Sequence, residues 1–269
     1  NALLVPAYLE ASQVTGREDF AKVARDILRY VARDMTAPEG AFYSATDADS
    51  QGPDGEREEG LFFTWTPDEI AAVLDAEQAR AVVAYFGVTD AGNFEGRTIL
   101  HTPRSLRDVA AELGLSDASL RRTVGAAREQ LYAARATRRA PLRDDKILTA
   151  WNGLMISALA QAALVLDEPV YAARAARAAD YLLRTLRRGD RLLRAALGGA
   201  ARQTAYLDDY AFLIAGLLDL YEADGDLRWL EEASALDAVL ERDYEDTSGG
   251  GFFRTAADQV SLLTREKPT

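Results

Sequence analysis

Three stretches of the chain share one hydrophobic rhythm. They are "NALLVPAYLEASQVTGREDFAKVARDILRYV" from Asn1, "NGLMISALAQAALVLDEPVYAARAARAADYLL" from Asn152 and "YAFLIAGLLDLYEADGDLRWLEEASALDAVL" from Tyr210. Each opens with apolar residues at i, i+3, i+4 and i+7, and its remaining faces are nearly apolar too. That pattern predicts a helix buried on more than one side. A short polar break follows. A second helix then carries an aromatic near its start (Phe20, Tyr171 or Trp229) and Arg, Asp and Glu along one face, which predicts an outer helix. Asn152 and Tyr210 lie 58 residues apart, one hairpin plus its connection. Repetition at this length predicts stacked hairpins that share a core.

The connections repeat as well. "EGAFYSATDAD", "RLLRAALGG" and "GGGFFRTAAD" follow the three hairpins, and each reads as a tight turn into a short strand. Inner helix, outer helix and returning strand together describe an all-α fold: a helical-hairpin (α/α) toroid, here an incomplete barrel with short β-hairpin excursions. The chain opens inside a core-type helix with no cap ahead of Asn1 and closes on "REKPT" just after a strand. It therefore reads as part of a larger protein and as part of one (α/α)-barrel domain.

An insertion at about 40–143 interrupts the repeats. In it, "GAFYSATDAD" and "GLFFTW" flank a polar loop and predict a β-hairpin. Thr66-Pro67-Asp68-Glu69 starts a helix, with proline in its first turn and acids near the positive end. "RTILH" is a strand candidate. Helices are expected from about Arg104 to Leu113 and from about Ala118 to Arg138, the second beginning at Ser116-Asp117.

Composition narrows the picture. Apolar residues make up 48% of the 269, enough for a real core. No window holds the ~18 uninterrupted apolar residues of a membrane span, and no signal peptide is visible. Zero cysteines exclude disulfides and thiolate chemistry within this chain, and the cytoplasm is the simplest location. With 43 acidic against 31 basic residues the net charge is −12, which argues against a nucleic-acid surface. Arginine clusters at Arg121–Arg139 and Arg184–Arg194 read as solvated helix faces or as docking points for an acidic partner.

The candidate chemistry sits where inner helices begin. Asp144, Asp145 and Lys146 precede an apolar period running through Trp151, and Asn152 follows it. The two aspartates cap that helix, or they rim a site in which the Trp151 indole carries a sugar ring and Lys146 orients a carboxylate. "AYLDDYAF" repeats the arrangement one hairpin later with Tyr206, Asp208, Asp209 and Tyr210. Paired carboxylates serve as acid and base in glycoside chemistry, bind hydroxyls, or simply cap. Asp208 and Asp209 are the catalytic candidates, and the others named here are substrate-binding candidates. Trp65 is core or a second sugar platform. "DADSQGPDGERE" offers Asp47 and Asp49, but Gln51 at the fifth position and strand-like flanks argue against a calcium loop and for a solvated hairpin tip, with Asp47 and Asp49 as substrate-binding candidates facing the funnel. His101 is the only histidine and is structural or a further substrate-binding candidate. No motif points to a cofactor or a metal.

Five stretches carry a family resemblance: "YSATDADS", "EEGLFFTWTPDEI", "GNFEGRTILH", "DDKILTAWNGLMISALA" and "YLDDYAFLIAGLLDLYEA". In order and across essentially the whole chain, they resemble the thioredoxin-like family related to spermatogenesis-associated protein 20. The resemblance implies a thioredoxin-like domain ahead of an (α/α) barrel similar to N-acylglucosamine 2-epimerases and six-hairpin glycosidases. This chain holds the barrel part only. It further implies a sugar or sugar-acid ligand, and the thioredoxin-like domain as a partner. The related epimerases move a proton with a pair of histidines. The single His101 departs from that pattern, which turns the expectation toward aspartate. The competing expectation is a non-catalytic scaffold that positions the thioredoxin-like domain.

Overall fold

The apolar repeats fold as helical hairpins. The computed structural model describes residues 1–52, 54–259 and 264–267. Its helices are α1 (Leu4–Thr15), α2 (Glu18–Asp34), α3 (Pro67–Val73), α4 (Ala76–Phe86) and α5 (Leu106–Leu113). They continue with α6 (Asp117–Arg135), α7 (Thr149–Leu166), α8 (Pro169–Thr185), α9 (Leu207–Asp224) and α10 (Leu227–Asp243). The chain divides into two compact units, Asn1–Ala45 with Asp144–Thr269, and Thr46–Arg143.

In the first unit the hairpins are α1–α2, α7–α8 and α9–α10. The inner helix α7 packs between α1 and α9, and α2, α8 and α10 cover the inner layer. The hairpins form an open arc instead of a closed barrel, an incomplete (α/α) toroid. Each outer helix buries one stripe: α2 turns Ala21, Ala24, Leu28 and Val31 inward, and α8 turns Ala172, Ala175, Ala179 and Leu182 inward. Each inner helix ends on a left-handed residue, Gly16 (φ 67°), Asp167 (φ 55°) or Gly225 (φ 74°), so the repeat extends to the chain reversal. Among the described residues α7 alone is, by length and composition, apolar enough to cross a membrane, with 18 residues of mean hydropathy 1.4, and 61% of it is buried. Neighbours on several sides explain why it is apolar all round.

Two glycines set the distance between α7 and α9. A Cβ on Gly153 would stand 2.5 Å from the Phe212 carbonyl carbon, and one on Gly216 would stand 2.5 Å from the Gly153 oxygen. The two backbones therefore touch at the second turn of α7 and the second and third turns of α9.

The second hairpin returns through a meander. Arg191–Leu197 pairs antiparallel with Arg187–Arg188, with Ala200–Thr204 and with Ile147–Leu148, the last in the register Ile147–Ala196 and Leu148–Ala195. After the third hairpin the expected strand shrinks to a single bridge, Glu245 with Phe252, and after the first a bridge of Thr36 with Phe42 precedes a strand of two residues, Ala45–Thr46.

The second unit holds α3 to α6. Thr66 and Glu69 form a reciprocal capping box with Pro67 in the first turn of α3, and Ser116 caps α6. The hairpin lies elsewhere than expected. Asp49–Gln51 pairs with Arg57–Glu59 inside the polar loop, whose Pro53 lies outside the described residues, while "GLFF" is a turn entered at Gly60 (φ 71°). The "RTILH" strand reduces to two isolated bridges, Thr98 with Trp65 and Arg97 with Phe94. Residues 260–263 of the closing segment likewise fall outside the described residues.

Candidate functional site

The start of α7 is not capped by the aspartates that precede it. Ile147 and Leu148 are held as a strand, so the helix begins at Thr149 with Leu148 as its N-cap and no side-chain cap. Asp144 therefore stands off the helix and does not share a face with Trp151. Its Oδ1 accepts from the Lys146 amide at 3.2 Å, and its Oδ2 lies 3.1 Å from Lys146 Nζ. Burial opposes ionisation of Asp144, but the Lys146 and Ser44 hydrogen bonds outweigh it and hold the carboxyl below its ordinary value. Asp145 is exposed beside it.

The cap comes from the next hairpin. Asp209, fully buried, accepts the Ala150 amide on Oδ1 at 3.1 Å. Its Oδ2 accepts the Tyr206 amide at 2.8 Å and Arg194 Nη1 at 3.2 Å. One carboxylate thus ties together the starts of α7 and α9 and the strand that carries Arg194. Burial pushes the Asp209 carboxyl up, against the pull of the Tyr206 amide, the Arg194 charge and the Ala150 amide. Tyr210 is buried as well, and its hydroxyl accepts the Leu192 amide at 2.9 Å. Burial, offset in part by that bond, raises its phenol.

Asn152 is a buried clamp. Its Oδ1 accepts the Phe42 amide at 2.8 Å, and its Nδ2 donates to the Phe42 and Leu148 carbonyls at 3.0 and 2.9 Å. These three side chains hold elements together and offer nothing to a ligand. Asn152→Ala leaves the paired groups of Phe42 without a partner and is expected to lower stability by about 2 kcal/mol, read from urea unfolding.

The accessible members of the set are different. Trp151 is 53% exposed on the first turn of α7. It borders a groove of about 330 Å³ whose wall includes Leu3, Met35, Tyr43, Ser44 and Met155. Asp208 is 39% exposed at its side chain and lies 3.9 Å from Arg194 Nη1. The Arg194 guanidinium covers the Tyr206 ring at 4.7 Å. Because Asp209 bonds to Ala150, Trp151 and Asp208 occupy the same end of adjacent helices.

The remaining candidates belong to the second unit. Trp65 is 3% exposed, with the Arg138 guanidinium 4.1 Å from its ring, so it is a core residue with no free face for a sugar. Asp47 pairs with Arg57 at 2.6 Å, and Asp49 stands opposite Glu59 in the hairpin. His101 is exposed, with its Nδ1 3.2 Å from both Asn93 Nδ2 and the Ile99 carbonyl.

The structure also contains polar groups that sequence reasoning passed over. Ser157 donates to Asp219, and Gln161 donates to Ser157 and Asp219 at 3.2 Å, forming a half-buried cluster between α7 and α9. Ser157 and Gln161, four residues apart in an otherwise apolar helix, were the available signal.

These features define an open (α/α)-hairpin protein with a cluster of accessible polar and aromatic groups at its inner-helix starts. Among known proteins the chain is distantly related to spermatogenesis-associated protein 20. It is 34% identical to the Homo sapiens protein over 287 residues, 96% of this chain and 36% of that protein. It is 30% identical to an uncharacterized protein of Caenorhabditis elegans, over 93% of this chain and 38% of that one. The chain thus spans little more than a third of the curated relatives it matches. No protein-family model matches. Among solved structures it shows a weak likeness to D-mannose isomerase, with a TM-score of 0.42 and 14% identity over 95% of this chain and 61% of that one. A GH76 alpha-mannanase of Bacteroides thetaiotaomicron gives a TM-score of 0.39 and 12% identity, over 94% and 62% of the two chains.

Proposed function

We propose that the first unit binds a carbohydrate, a neutral sugar or a sugar acid, at the starts of α7 and α9. The observation that carries this reading is the treatment of tryptophan. Trp65 and Trp229 are buried at 3% and 0% exposure, whereas Trp151 is left 53% exposed at the rim of a groove. An accessible indole offers the apolar face of a sugar ring a stacking surface. Asp208 and Arg194 supply an acceptor and donors for hydroxyls, and Lys146 or Arg194 would receive the carboxylate of a sugar acid. Any acid/base step would fall to Asp208, because Asp209 is enclosed and fully hydrogen-bonded.

A second reading has its own support. Asp209, Asn152 and Tyr210 all serve to hold elements together. A scaffold that positions a thioredoxin-like domain would use its polar groups in this way.

Thermal unfolding with a panel of mono- and disaccharides and sugar acids separates the two. A ligand at 100 times its dissociation constant should add about 2.7 kcal/mol of stability. Trp151→Ala should leave the unliganded midpoint nearly unchanged and abolish the ligand-induced shift, and Asp208→Asn should weaken it. An absence of any shift across the panel, with a well-folded protein, would sink the carbohydrate reading in favour of the scaffold.

A further inference from the structure

A second cavity, sharing only the Val31 and Phe42 wall with the groove beside Trp151, opens among α2, α7 and α8. Its volume is about 150 Å³, and its walls include Leu28, Val31, Phe42 and Leu159, with Arg174 and Arg177 on one side. An apolar cavity of roughly that size accepts a benzene ring. The arginines are three residues apart on α8 and therefore share a face. The loop after α2 closes against that face. Gly40 has φ +106°, and a Cβ there would lie 3.0 Å from the Cβ of Arg177, so only glycine lets the loop come this close.

Among the described residues the two arginines at this cavity have no acid beside them. The chain carries 43 acidic residues against 31 basic, and most other arginines of the outer helices find carboxylates, Arg184 of α8 being an exception. Arg25 pairs with Glu168 at 2.7 Å, and Arg228 pairs with Asp180 at 2.5 Å. No acid lines the cavity. Among the described residues, Arg177 donates only to the Pro38 carbonyl at 3.2 Å, and Arg174 only approaches the Tyr171 ring at 5.9 Å. Neither Arg174, half-buried, nor Arg177 has a carboxylate partner. A guanidinium presents several donors in a planar fork that matches a carboxylate in two parallel bonds. Apolar walls sized for one ring, beside two guanidiniums without acids, specify a ligand with one apolar group and one anionic group.

We propose that this cavity is a binding site for a small organic carboxylate. Its aromatic or branched apolar part fills the space lined by Leu28, Val31 and Leu159, and its carboxylate is received by Arg174 and Arg177. The site is independent of the carbohydrate reading, since it shares neither Trp151 nor Asp208.

Benzoate is the probe, titrated into the whole chain and followed by calorimetry and by chemical shifts of the methyl groups of Leu28, Val31 and Leu159. The expected result is one saturable site, with affinity falling about tenfold or more in Arg174→Gln and in Arg177→Gln, the loss that follows removal of a charged hydrogen bond. Benzyl alcohol, with the same ring and no charge, should bind at least about tenfold more weakly for the same reason. Ala32→Leu, which narrows the cavity and leaves both arginines in place, should also weaken benzoate. Circular dichroism checks that each variant folds. Absence of saturable benzoate binding overturns the proposal, as does undiminished binding in the Arg174→Gln/Arg177→Gln double variant. Displacement of benzoate by equimolar inorganic phosphate overturns it too, because the arginines would then be a plain cationic patch.

Discussion

Asp209→Ala is expected to destabilise the protein by about 3 kcal/mol, and Asp208→Ala by no more than about 0.5 kcal/mol, although the two aspartates are adjacent. The difference follows from their surroundings. Alanine at position 209 leaves the Ala150 and Tyr206 amides and the Arg194 guanidinium without their acceptor in a buried place. Each such group costs about 1–3 kcal/mol, reduced by whatever relaxation lets water in. Asp208 is half-exposed, and its pairing with Arg194 is long at 3.9 Å. Urea unfolding of the two variants side by side is the measurement, and equal losses would refute the role of Asp209 as a cap shared between hairpins.

The same carboxylate makes a prediction about pH. Its folded value is raised by burial, so there is a window above the ordinary carboxylate value of ~3.9 in which the folded protein keeps a proton that the unfolded chain has released. The contribution of this group to stability is fully present below that window and is lost as pH rises through the folded value. The stability gap between the protein and Asp209→Asn, which cannot titrate there, should therefore narrow as pH rises through that window.

The second large effect concerns glycine. Gly153→Ala should cost about 3 kcal/mol, because its Cβ would meet the Phe212 backbone at 2.5 Å and α7 and α9 would have to separate along their seam. Gly125 in α6 is the control. It is also in a helix interior, nothing lies within 4 Å of an added Cβ, and Gly125→Ala should stabilise by about 0.5–1 kcal/mol through helix propensity alone. Thermal midpoints moving in opposite directions for the same chemical change would establish the contact. A neutral Gly153→Ala would mean that the seam yields.

Local signals made much of the fold legible. Apolar period marked the three hairpins, Thr66 to Glu69 marked a helix start, and "RLLRAAL" marked the long strand of the meander. What stayed hidden was set by distant partners. Asp144 and Asp145 look like caps until Ile147 and Leu148 are drawn into a ladder with Ala195 and Ala196, which delays the helix to Thr149. The polar strands Asp49–Gln51 and Arg57–Glu59 lack the alternation that announces a strand, and "GLFF" imitates one while being a turn. At the candidate site Trp151 and the carboxylate pairs could be named from the sequence, whereas the exposure that separates Trp151 from the buried Trp65 could not. Which of the two aspartates at 208 and 209 remains accessible was not, because that depends on an amide 59 residues earlier.

That separation also bears on synthesis. As the chain leaves the ribosome, α7, the most apolar of the three inner helices, emerges before α9, with its opening turn unsatisfied and the wall that faces α9 bare. Only when Asp209 has been made can the start of α7 be closed, and only then can Gly153 and Gly216 meet. Until that moment the nascent hairpin presents apolar surface of the kind that chaperones hold. A ribosome stalled before Leu207 would display α7 with the wall that faces α9 still uncovered.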